Sequence, residues 1–208
     1  GYAVKTFDLM VQQRLFHILF PSAARLLENG NYTDRLIRQA FTNTDTRINN
    51  DLRVTPAFLC AALLWPALQQ EQQREQKYGM HPHQALQKVM PKIIGEQTKL
   101  IGIPRRFTQP MQEIWELQWL LTRRQGGRAD QLLEHPRFRA AYDFLLLREQ
   151  AGEELQDLGA WWTEYQKASP DTREQMRQHL QRSGSSNNKP RRRRSATRSP
   201  SNTHPPTH

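Results

Sequence analysis

Arginine is the residue type whose number and spacing most clearly suggest chemistry in this sequence. Six arginines fall between Thr122 and Arg148, in a segment that also carries the leucines and aromatic residues of a buried helix. A guanidinium group can pair with a phosphate through two parallel hydrogen bonds, so clustered arginines suit the binding of a nucleic-acid backbone. A helix that only packs into a core does not need them. We therefore expect a polyanionic partner, with nucleic acid favoured over an anionic membrane surface.

These arginines are predicted to lie at the ends of successive short helices joined by tight turns, which would let them converge on one side. Cations in the last turn of a helix also interact favourably with its dipole. The six are Arg123, Arg124, Arg128, Arg137, Arg139 and Arg148. The alternative is a solvated surface on which the arginines pair with nearby carboxylates. Those carboxylates are Asp130, Glu134, Asp143 and Glu149.

A second basic pair, Arg105 and Arg106, precedes Phe107 in the stretch IPRRFTQP, which is predicted to be an irregular connector. Two cations beside an aromatic ring could hold a phosphate and stack a base. The alternative is that Phe107 packs into the core and fixes the start of the next helix. Both interpretations remain open at the level of sequence.

The other polar residues do not suggest a catalytic or metal-binding site. Asp45 and Asp51 are six residues apart, whereas nucleotidyl transfer needs a close Asp-x-Asp pair on a strand, so Asp45 is interpreted as a helix cap. His81 and His83 lack a third ligand at a suitable spacing and are predicted to start a helix. The Gly-Gly-Arg at 126–128 lacks the strand and the Lys-Ser/Thr of a phosphate loop, and is predicted to be a turn. We predict neither a catalytic residue nor a metal ligand in this chain.

The elements that must position the arginines are predicted to be helices. Apolar residues recur at helical spacing as far as about residue 180, and no stretch shows the sustained alternation of a strand. Because proline removes a backbone donor, Pro66 and Pro91 are predicted to kink or divide their helices. The fold class is therefore predicted to be all-α, an irregular helical bundle followed by a disordered basic tail.

Several helix ends are also predicted. One helical pattern extends from Val4 to Leu19 and stops at Pro21. Thr33 is predicted to be the N-cap of the following helix. The helix that carries Trp115 is predicted to begin at Thr108 or the residue after it.

Residues 183–208 form a tail rich in serine, proline, asparagine and arginine. The tail cannot bury enough apolar surface to offset the entropy of ordering, so it is predicted to be disordered. It carries six cations and no acid, which leaves +4 of the total charge of +10 for residues 1–182. We expect it to add salt-sensitive, sequence-independent affinity for nucleic acid; the alternative is a tail that only aids solubility. Its predicted contacts are Lys189, Arg191, Arg192, Arg193 and Arg194.

Three regions are predicted: a helical body (1–104), an arginine-rich helical region (105–182) and the tail (183–208). No apolar run approaches the roughly 18 residues that a membrane span needs. A single cysteine, Cys60, excludes an internal disulfide and fits a reducing, cytoplasmic location. Because the chain begins at Gly1 directly in a helical pattern, we expect it to be the C-terminal piece of a longer protein, with a processed or tagged sequence as the alternative.

Three stretches together resemble the C-terminal half of bacterial poly(A) polymerases, which share a fold with CCA-adding enzymes. They are NTDTRINNDLRVTPAFLCAALLW, then GIPRRFTQPMQEIWELQWLLTRRQGGRADQLLEHPRFRAAYDFLLLRE, then the polyarginine tail. The second stretch is the most specific, because ordered similarity of that length is improbable by chance. The resemblance covers nearly the whole chain and is loose in residues 68–100.

The resemblance implies that catalysis belongs to an N-terminal α/β head whose motifs are not found in this sequence. In that family the head binds ATP and two metal ions, and the whole enzyme adds AMP to RNA 3′ ends. This chain would be the helical body and tail that hold the RNA, inactive alone, with ATP and Mg²⁺ expected only for the full enzyme. The RNA contacts implied by position are Arg105, Arg106, Arg123, Arg124, Arg128, Arg137 and Arg139, with Arg148, Lys189 and Arg191 to Arg194 as weaker candidates.

Two alternatives stay open. A CCA-adding enzyme would use the same body; the tail favours poly(A) synthesis, but only the head and neck could distinguish the two. A non-enzymatic helical adaptor would bind a protein partner in a groove, with the tail supporting solubility. The tryptophan-rich C-terminal helices motivate this second alternative.

Overall fold

The computed structural model describes residues 1–186, with side chains for residues 1–180, and it is helical throughout that range. The prediction of an all-α fold is confirmed for these residues, which contain no strand. The predicted contacts Lys189 and Arg191 to Arg194 lie outside the described residues. The helices are α1 (Ala3–Gln12), α2 (Leu15–Leu19), α3 (Pro21–Ala24), α4 (Tyr32–Asn49), α5 (Pro56–Lys77), α6 (Pro82–Ile101), α7 (Arg105–Leu121), α8 (Arg128–Leu133), α9 (Phe138–Gln150), α10 (Leu158–Lys167) and α11 (Pro170–Ser186).

The larger of two hydrophobic cores is organised around α5, which packs along both α6 and α7. Leu64 and Leu68 of α5 and Trp115 of α7 are completely buried there. The indole Nε1 of Trp115 donates to the carbonyl of Ala61 at 3.1 Å. Because a buried indole N–H without an acceptor is unfavourable, this hydrogen bond helps to define how α7 lies on α5.

Pro66 and Pro91 were predicted to kink or divide their helices; division is wrong, since α5 and α6 each run as one element through the proline. A proline inside a helix costs about 3 kcal/mol. Full burial of one large apolar side chain contributes about 1.5–3 kcal/mol, so Leu64 and Leu68 together outweigh that cost. Packing against α6 and α7 therefore keeps α5 continuous.

The start of α7 also differs from the prediction. The helix begins at Arg105, with Pro104 at the N-cap position, so Arg105 and Arg106 belong to its first turn rather than to an irregular connector. Phe107 is half-buried against the larger core, as the alternative interpretation of this residue proposed. The two arginines consequently project from a rigid element.

Two predictions near the N-terminus are corrected as well. The pattern from Val4 to Leu19 is not one helix, because Arg14 adopts a positive φ of 58° and separates α1 from α2. Asn31, not Thr33, caps α4, and its side chain accepts a hydrogen bond from the backbone N–H of Asp34 at 2.9 Å. An asparagine at this position satisfies a backbone donor that the helix cannot.

A smaller core lies between α7, α8, α9 and α10. Its centre is Trp162, which is fully buried and donates from Nε1 to the carbonyl of Leu121 at 3.0 Å. Helices α7 and α9 contribute residues to both cores. The boundary between residues 104 and 105 stays a prediction; the larger core includes residues on both sides of it and extends to Ala151. Within the described part of the chain, no helix is both long and apolar enough to cross a bilayer.

Candidate nucleic-acid interface

Three of the predicted arginines, Arg123, Arg124 and Arg128, lie together at the turn between α7 and α8. The turn contains Gly126 with a φ of 64°, a conformation that glycine adopts without strain. It reverses the chain within six residues and places Arg123 and Arg128 on the wall of one cavity of about 420 Å³. The sequence interpretation of Gly-Gly-Arg as a turn is confirmed.

This cavity, which we call the turn cavity, combines cations with apolar and neutral polar groups. Arg123 and Arg128 are exposed, and neither forms an ion pair with a carboxylate anywhere in residues 1–180. Its remaining lining residues are Leu120, Gln131, Leu132 and His135. Two guanidinium groups without an internal counter-charge can accept an external anion such as a phosphate.

Arg124 is held differently from its neighbours. Its guanidinium carbon lies 5.1 Å from the centre of the Trp161 ring, and Trp161 in turn stacks on Tyr165 with centroids 4.5 Å apart. Burial lowers the pKa of Arg124 because the charged form loses water, although arginine remains protonated at neutral pH. The aromatic face partly replaces the lost hydration through a cation–π interaction.

A second aromatic group lies beside Arg123. The guanidinium of Arg123 is 5.9 Å from the ring centre of Trp119, and His83 stacks on the same indole at 5.8 Å with an interplanar angle of 21°. His81 meets it edge-on at 5.6 Å. Both histidines lie at the start of α6, as predicted, and the ring of His81 accepts from the backbone N–H of His83. Aromatic rings beside a phosphate-binding cation are typical of surfaces that bind single-stranded RNA.

These histidines were not predicted to lie near the arginines. Trp119 is 36 residues from His83, and nothing in the local sequence pairs them. The contact arises because α6 and α7 pack side by side. One local signal could have indicated this aromatic group: Trp119 and Arg123 are four residues apart, about one helical turn.

Arg137 and Arg139 both form ion pairs, but only Arg139 pairs with one of the nearby carboxylates that the alternative interpretation named. The Nε of Arg137 lies 2.8 Å from a carboxylate oxygen of Glu113, and the Nε of Arg139 lies 3.0 Å from Asp143. The two arginines are two residues apart at the start of α9 and so project about 200° apart. Exposed ion pairs of this kind contribute about 0–1 kcal/mol, so a phosphate could replace either carboxylate at little cost.

Arg105 and Arg106 form a separate group. Both are exposed, and Arg106 lies over the ring of Phe107, with 4.9 Å between its guanidinium carbon and the ring centre. The 17 residues of α7 separate this pair from Arg123, a distance of about 25 Å. The predicted arginines therefore do not form one compact patch.

Arg148 is a structural residue in this fold and is withdrawn from the RNA contacts. Its side chain is only 8% exposed, and Nε and Nη2 donate to Glu153 at 2.9 and 2.6 Å. Nη1 donates to the Gln118 side chain at 2.9 Å, and the guanidinium lies over Trp65 at 4.6 Å. A helix-end position suggested exposure, but the α9 face that carries Arg148 turns inward between the two cores.

Glu153 is the centre of the polar network around Arg148. It also accepts hydrogen bonds from the Tyr32 hydroxyl at 2.5 Å and from the Gln69 amide at 3.1 Å. Burial by itself would raise the pKa of Glu153, but these hydrogen bonds and the charge of Arg148 hold it below its usual value. Burial and the neighbouring carboxylate raise the pKa of Tyr32 far above its usual value. The network therefore contains a carboxylate and a neutral phenol at neutral pH.

A third group of cations was not predicted from the sequence. Arg47 of α4 and Arg53 of the following loop line a cavity of about 340 Å³ together with Arg139. Arg47 forms no ion pair with Asp51, four residues further along the chain; its Nε donates to the carbonyl of Arg53 at 2.9 Å. Asp45 acts as a helix cap, as predicted, but for α1: its carboxylate accepts from the backbone N–H groups of Ala3 and Val4.

Residues 1–180 contain no group of three or more His, Cys, Asp or Glu side chains arranged to hold a metal ion. The arrangement therefore offers cations and aromatic rings rather than metal ligands. Its chemical capacity, as far as these residues extend, is to bind an anionic and partly aromatic chain.

Comparison with known proteins agrees with this chemistry. Residues 78–198 match the family described as the polymerase A arginine-rich C-terminus. The chain is 44% identical over 185 residues to poly(A) polymerase I of Escherichia coli O6:H1, an alignment that covers 86% of the chain and 40% of that protein. It is 40% identical over 203 residues to poly(A) polymerase I of Salmonella typhi, covering 95% of the chain and 43% of that protein. For the Haemophilus influenzae protein of the same name the identity is 36% over 186 residues, covering 88% and 41%. The chain thus spans about 40% of the length of these relatives.

Proposed function

We propose, from the premise that this chain belongs to the polymerase A arginine-rich C-terminus family, that it is the RNA-binding part of a poly(A) polymerase. The whole enzyme would transfer AMP from ATP to RNA 3′ ends. Catalysis, ATP and Mg²⁺ would belong to an N-terminal head that is not among these residues. The 36–44% identity to proteins named poly(A) polymerase I supports this assignment.

The observation that carries the proposal is the group at the α7–α8 turn. Arg123 and Arg128 border the turn cavity without a carboxylate partner among the described side chains, and Arg124 lies between them in sequence, over Trp161. In the proposed complex, the guanidinium groups bind successive phosphates, and Trp119, on which His83 stacks, supports Arg123 through a cation–π contact. The contribution to catalysis is positional, because holding the 3′ end in place replaces a bimolecular encounter by an intramolecular one.

The tail and the other exposed arginines would extend this contact. Arg105, Arg106, Arg137 and Arg139 are proposed as secondary contacts. Lys189 and Arg191 to Arg194 are proposed to neutralise phosphates and release counterions, which raises affinity without sequence preference. We also propose a cytoplasmic location, the compartment in which bacterial RNA is processed. The lone thiol of Cys60 is compatible with it, since burial raises its pKa and so disfavours the reactive thiolate.

The test is a triple substitution, R123Q/R124Q/R128Q, in the 208-residue chain, with binding of a single-stranded RNA measured across salt concentrations. Each lost phosphate contact should lower the slope of log affinity against log salt by about 0.7, so the triple variant should lose about 2. A matched control is R74Q/K77Q/K99Q, which removes three exposed cations from the ends of α5 and α6. The control should keep most of the wild-type slope.

Unchanged affinity and slope in R123Q/R124Q/R128Q would contradict the proposal and favour a protein-binding adaptor. The chain alone, given ATP, Mg²⁺ and RNA, should add no AMP. Measurable incorporation would show that catalysis is not confined to a separate head.

The two alternatives from the sequence are distinguishable. In the full-length protein, incorporation of CMP as well as AMP would identify a CCA-adding enzyme, whereas processive AMP addition identifies a poly(A) polymerase. The adaptor interpretation rested on exposed tryptophans, yet Trp162 is fully buried and Trp161 is covered on one side by Arg124. Trp161 also stacks on Tyr165, with centroids 4.5 Å apart, so the tryptophans of α10 do not favour a protein partner.

A further inference from the structure

We propose that a second cavity, between α4, α9 and the start of α5, binds one nucleoside monophosphate unit through Arg47, Arg53 and Arg139. We call it the α4–α9 cavity. The turn cavity shares no lining residue with it. The inference deepens the proposed function. If the nucleotide unit belongs to an RNA strand, the inference rests on that function.

The charge of the α4–α9 cavity favours an anion. Three arginines and one carboxylate, Asp143, are among the residues that line it. Asp143 already pairs with Arg139, whereas Arg47 and Arg53 form no ion pair with a carboxylate in the described part of the chain. Two guanidinium groups are therefore left with uncompensated charge at the rim of the cavity, where a phosphate would be bound.

The backbone around these two arginines is well defined. Arg47 Nε donates to the carbonyl of Arg53 at 2.9 Å, and the backbone N–H of Leu52 donates to the carbonyl of Arg47 at 2.8 Å. Asp51 adopts a φ of 55° to make this reversal possible. The loop is thus tied back onto α4, and the arginine side chains leave from fixed positions, which limits the entropy lost on binding.

The remaining walls favour a flat apolar group rather than phosphate alone. Val54, Phe58, Leu59 and Leu146 form the apolar part of the cavity. Phe58 is anchored from behind by an edge-to-face contact with Phe144, with centroids 5.6 Å apart. An inorganic phosphate would leave these side chains in contact with water, whereas a nucleobase attached to the phosphate would cover them.

Amide groups in the same cavity could bind the edge of a base. Asn43 and Gln150 face each other with 3.5 Å between the donor nitrogen and the acceptor oxygen, the upper limit of a hydrogen bond. Such a weak pair gives way to a ligand with little loss. The first turn of α5 adds positive potential, because its N-cap residue Thr55 makes no side-chain capping hydrogen bond.

The size of the cavity fits a single nucleotide. Its volume is about 340 Å³, near the lower end of the roughly 300–1,000 Å³ that is usual for small-molecule sites. A duplex or a stack of bases would not enter. The unit could come from a free nucleotide or from one splayed nucleotide of an RNA strand, and the two sources are separable by experiment.

The experiment compares R53Q and R47Q/R53Q with the wild-type 208-residue chain. Calorimetric titrations use 5′-AMP, adenosine and inorganic phosphate, and a fluorescence assay uses a ten-nucleotide oligoadenylate. The control R74Q/K77Q removes two cations from the far end of α5. The Arg53 side chain forms no hydrogen bond or ion pair among the described residues, so R53Q keeps every backbone contact of the loop. If the double variant does not fold, R53Q alone therefore tests whether the cavity binds the nucleotide.

For a free nucleotide, 5′-AMP should bind more tightly than adenosine or phosphate, and R47Q/R53Q should weaken it about tenfold or more. If the ligand is a nucleotide within a strand, R47Q/R53Q should bind the oligoadenylate about tenfold more weakly than the wild type does. Free 5′-AMP should then bind too weakly to measure. If neither ligand is weakened beyond the control, the inference is overturned. Loss of oligoadenylate binding in R123Q/R124Q/R128Q but not in R47Q/R53Q would leave the proposed function standing and remove only this site.

Discussion

The guanidinium of Arg124 lies over the indole of Trp161, with 5.1 Å between the guanidinium carbon and the ring centre. No carboxylate among the described side chains neutralises it. A half-buried cation that is supported by a ring rather than by an acid keeps its hydrogen-bond donors available. The pair therefore joins the smaller core, through α10, to the proposed RNA surface at the α7–α8 turn.

This relationship predicts energetic coupling between the two residues. Trp161→Leu should weaken RNA binding because Arg124 loses the ring that orients it, with an effect of about 0.5–2 kcal/mol. Trp161→Phe should retain most of the affinity, since a phenyl ring preserves the cation–π contact. In the double variant W161L/R124Q the loss should be smaller than the sum of the two single losses. Strictly additive losses in the measured RNA affinities would argue that Trp161 does not position Arg124.

Arg148 is predicted to matter for stability rather than for RNA. Arg148→Met leaves the largely buried Glu153 without its cation, and breaking a buried pair in this way costs at most about 3–5 kcal/mol. Urea unfolding followed by circular dichroism should show the loss. The double variant R148M/E153Q should regain part of it, because no unpaired charge is then left in the interior.

An unfolding free energy of R148M equal to that of the wild type, combined with a large loss of RNA affinity, would reverse this assignment. Arg139→Gln is the matched control on the same helix. Its exposed pair with Asp143 should contribute about 0–1 kcal/mol, so the stability of R139Q should stay close to that of the wild type.

The same network predicts a pH dependence of stability. The pKa of Glu153 is lower in the folded state than in the unfolded chain, so its contribution is fully present above the unfolded value of about 4.3 and is lost as pH falls below it. Tyr32 behaves oppositely: its pKa is raised by folding, and its contribution declines as pH rises above about 10. Unfolding free energies measured from pH 7 to pH 3 should fall less steeply in E153Q than in the wild type. Parallel curves would show that Glu153 does not supply this dependence.

The tail is predicted to act through charge alone. Removing residues 187–208 deletes six cations, Lys189, Arg191 to Arg194 and Arg198. If all six neutralise phosphates, the slope of log affinity against log salt should fall by roughly 4, at 0.7 per contact. Replacing these six residues by glutamine should reproduce the truncation. A truncated chain with the wild-type salt slope would leave the tail without a role in RNA binding.

Much of this protein was predictable from local sequence. Helical periodicity alone indicated an all-α fold, and Gly126 marked the turn that places Arg123 and Arg128 near each other. These features depend on residues within a few positions of one another, where backbone preferences act directly. The family resemblance carried by the HPRFRAAYDFLLLR stretch pointed to the same RNA chemistry.

The helix interruptions were not predictable in this way. Proline and irregular composition predicted a break at Pro66 and an irregular connector before Thr108, yet α5 runs through Pro66 and α7 begins already at Arg105. Local propensity amounts to a few kcal/mol at most, and burial of α5 between α6 and α7 contributes more than that. Conversely, Arg14 ends α1 although the apolar spacing continues beyond it.

The sequence by itself determined the secondary-structure class, which is helical, the excess of arginine and the basic charge of the tail. Only the tertiary structure decided which arginines are free. Arg148 and Arg123 look alike in sequence, each at a helix end, but one turns inward to Glu153 and the other borders an open cavity. The physical reason is that a charge's availability depends on the groups that packing brings to it from distant parts of the chain, as α6 brings His83 to Trp119 and α4 brings Arg47 to the cavity of Arg139.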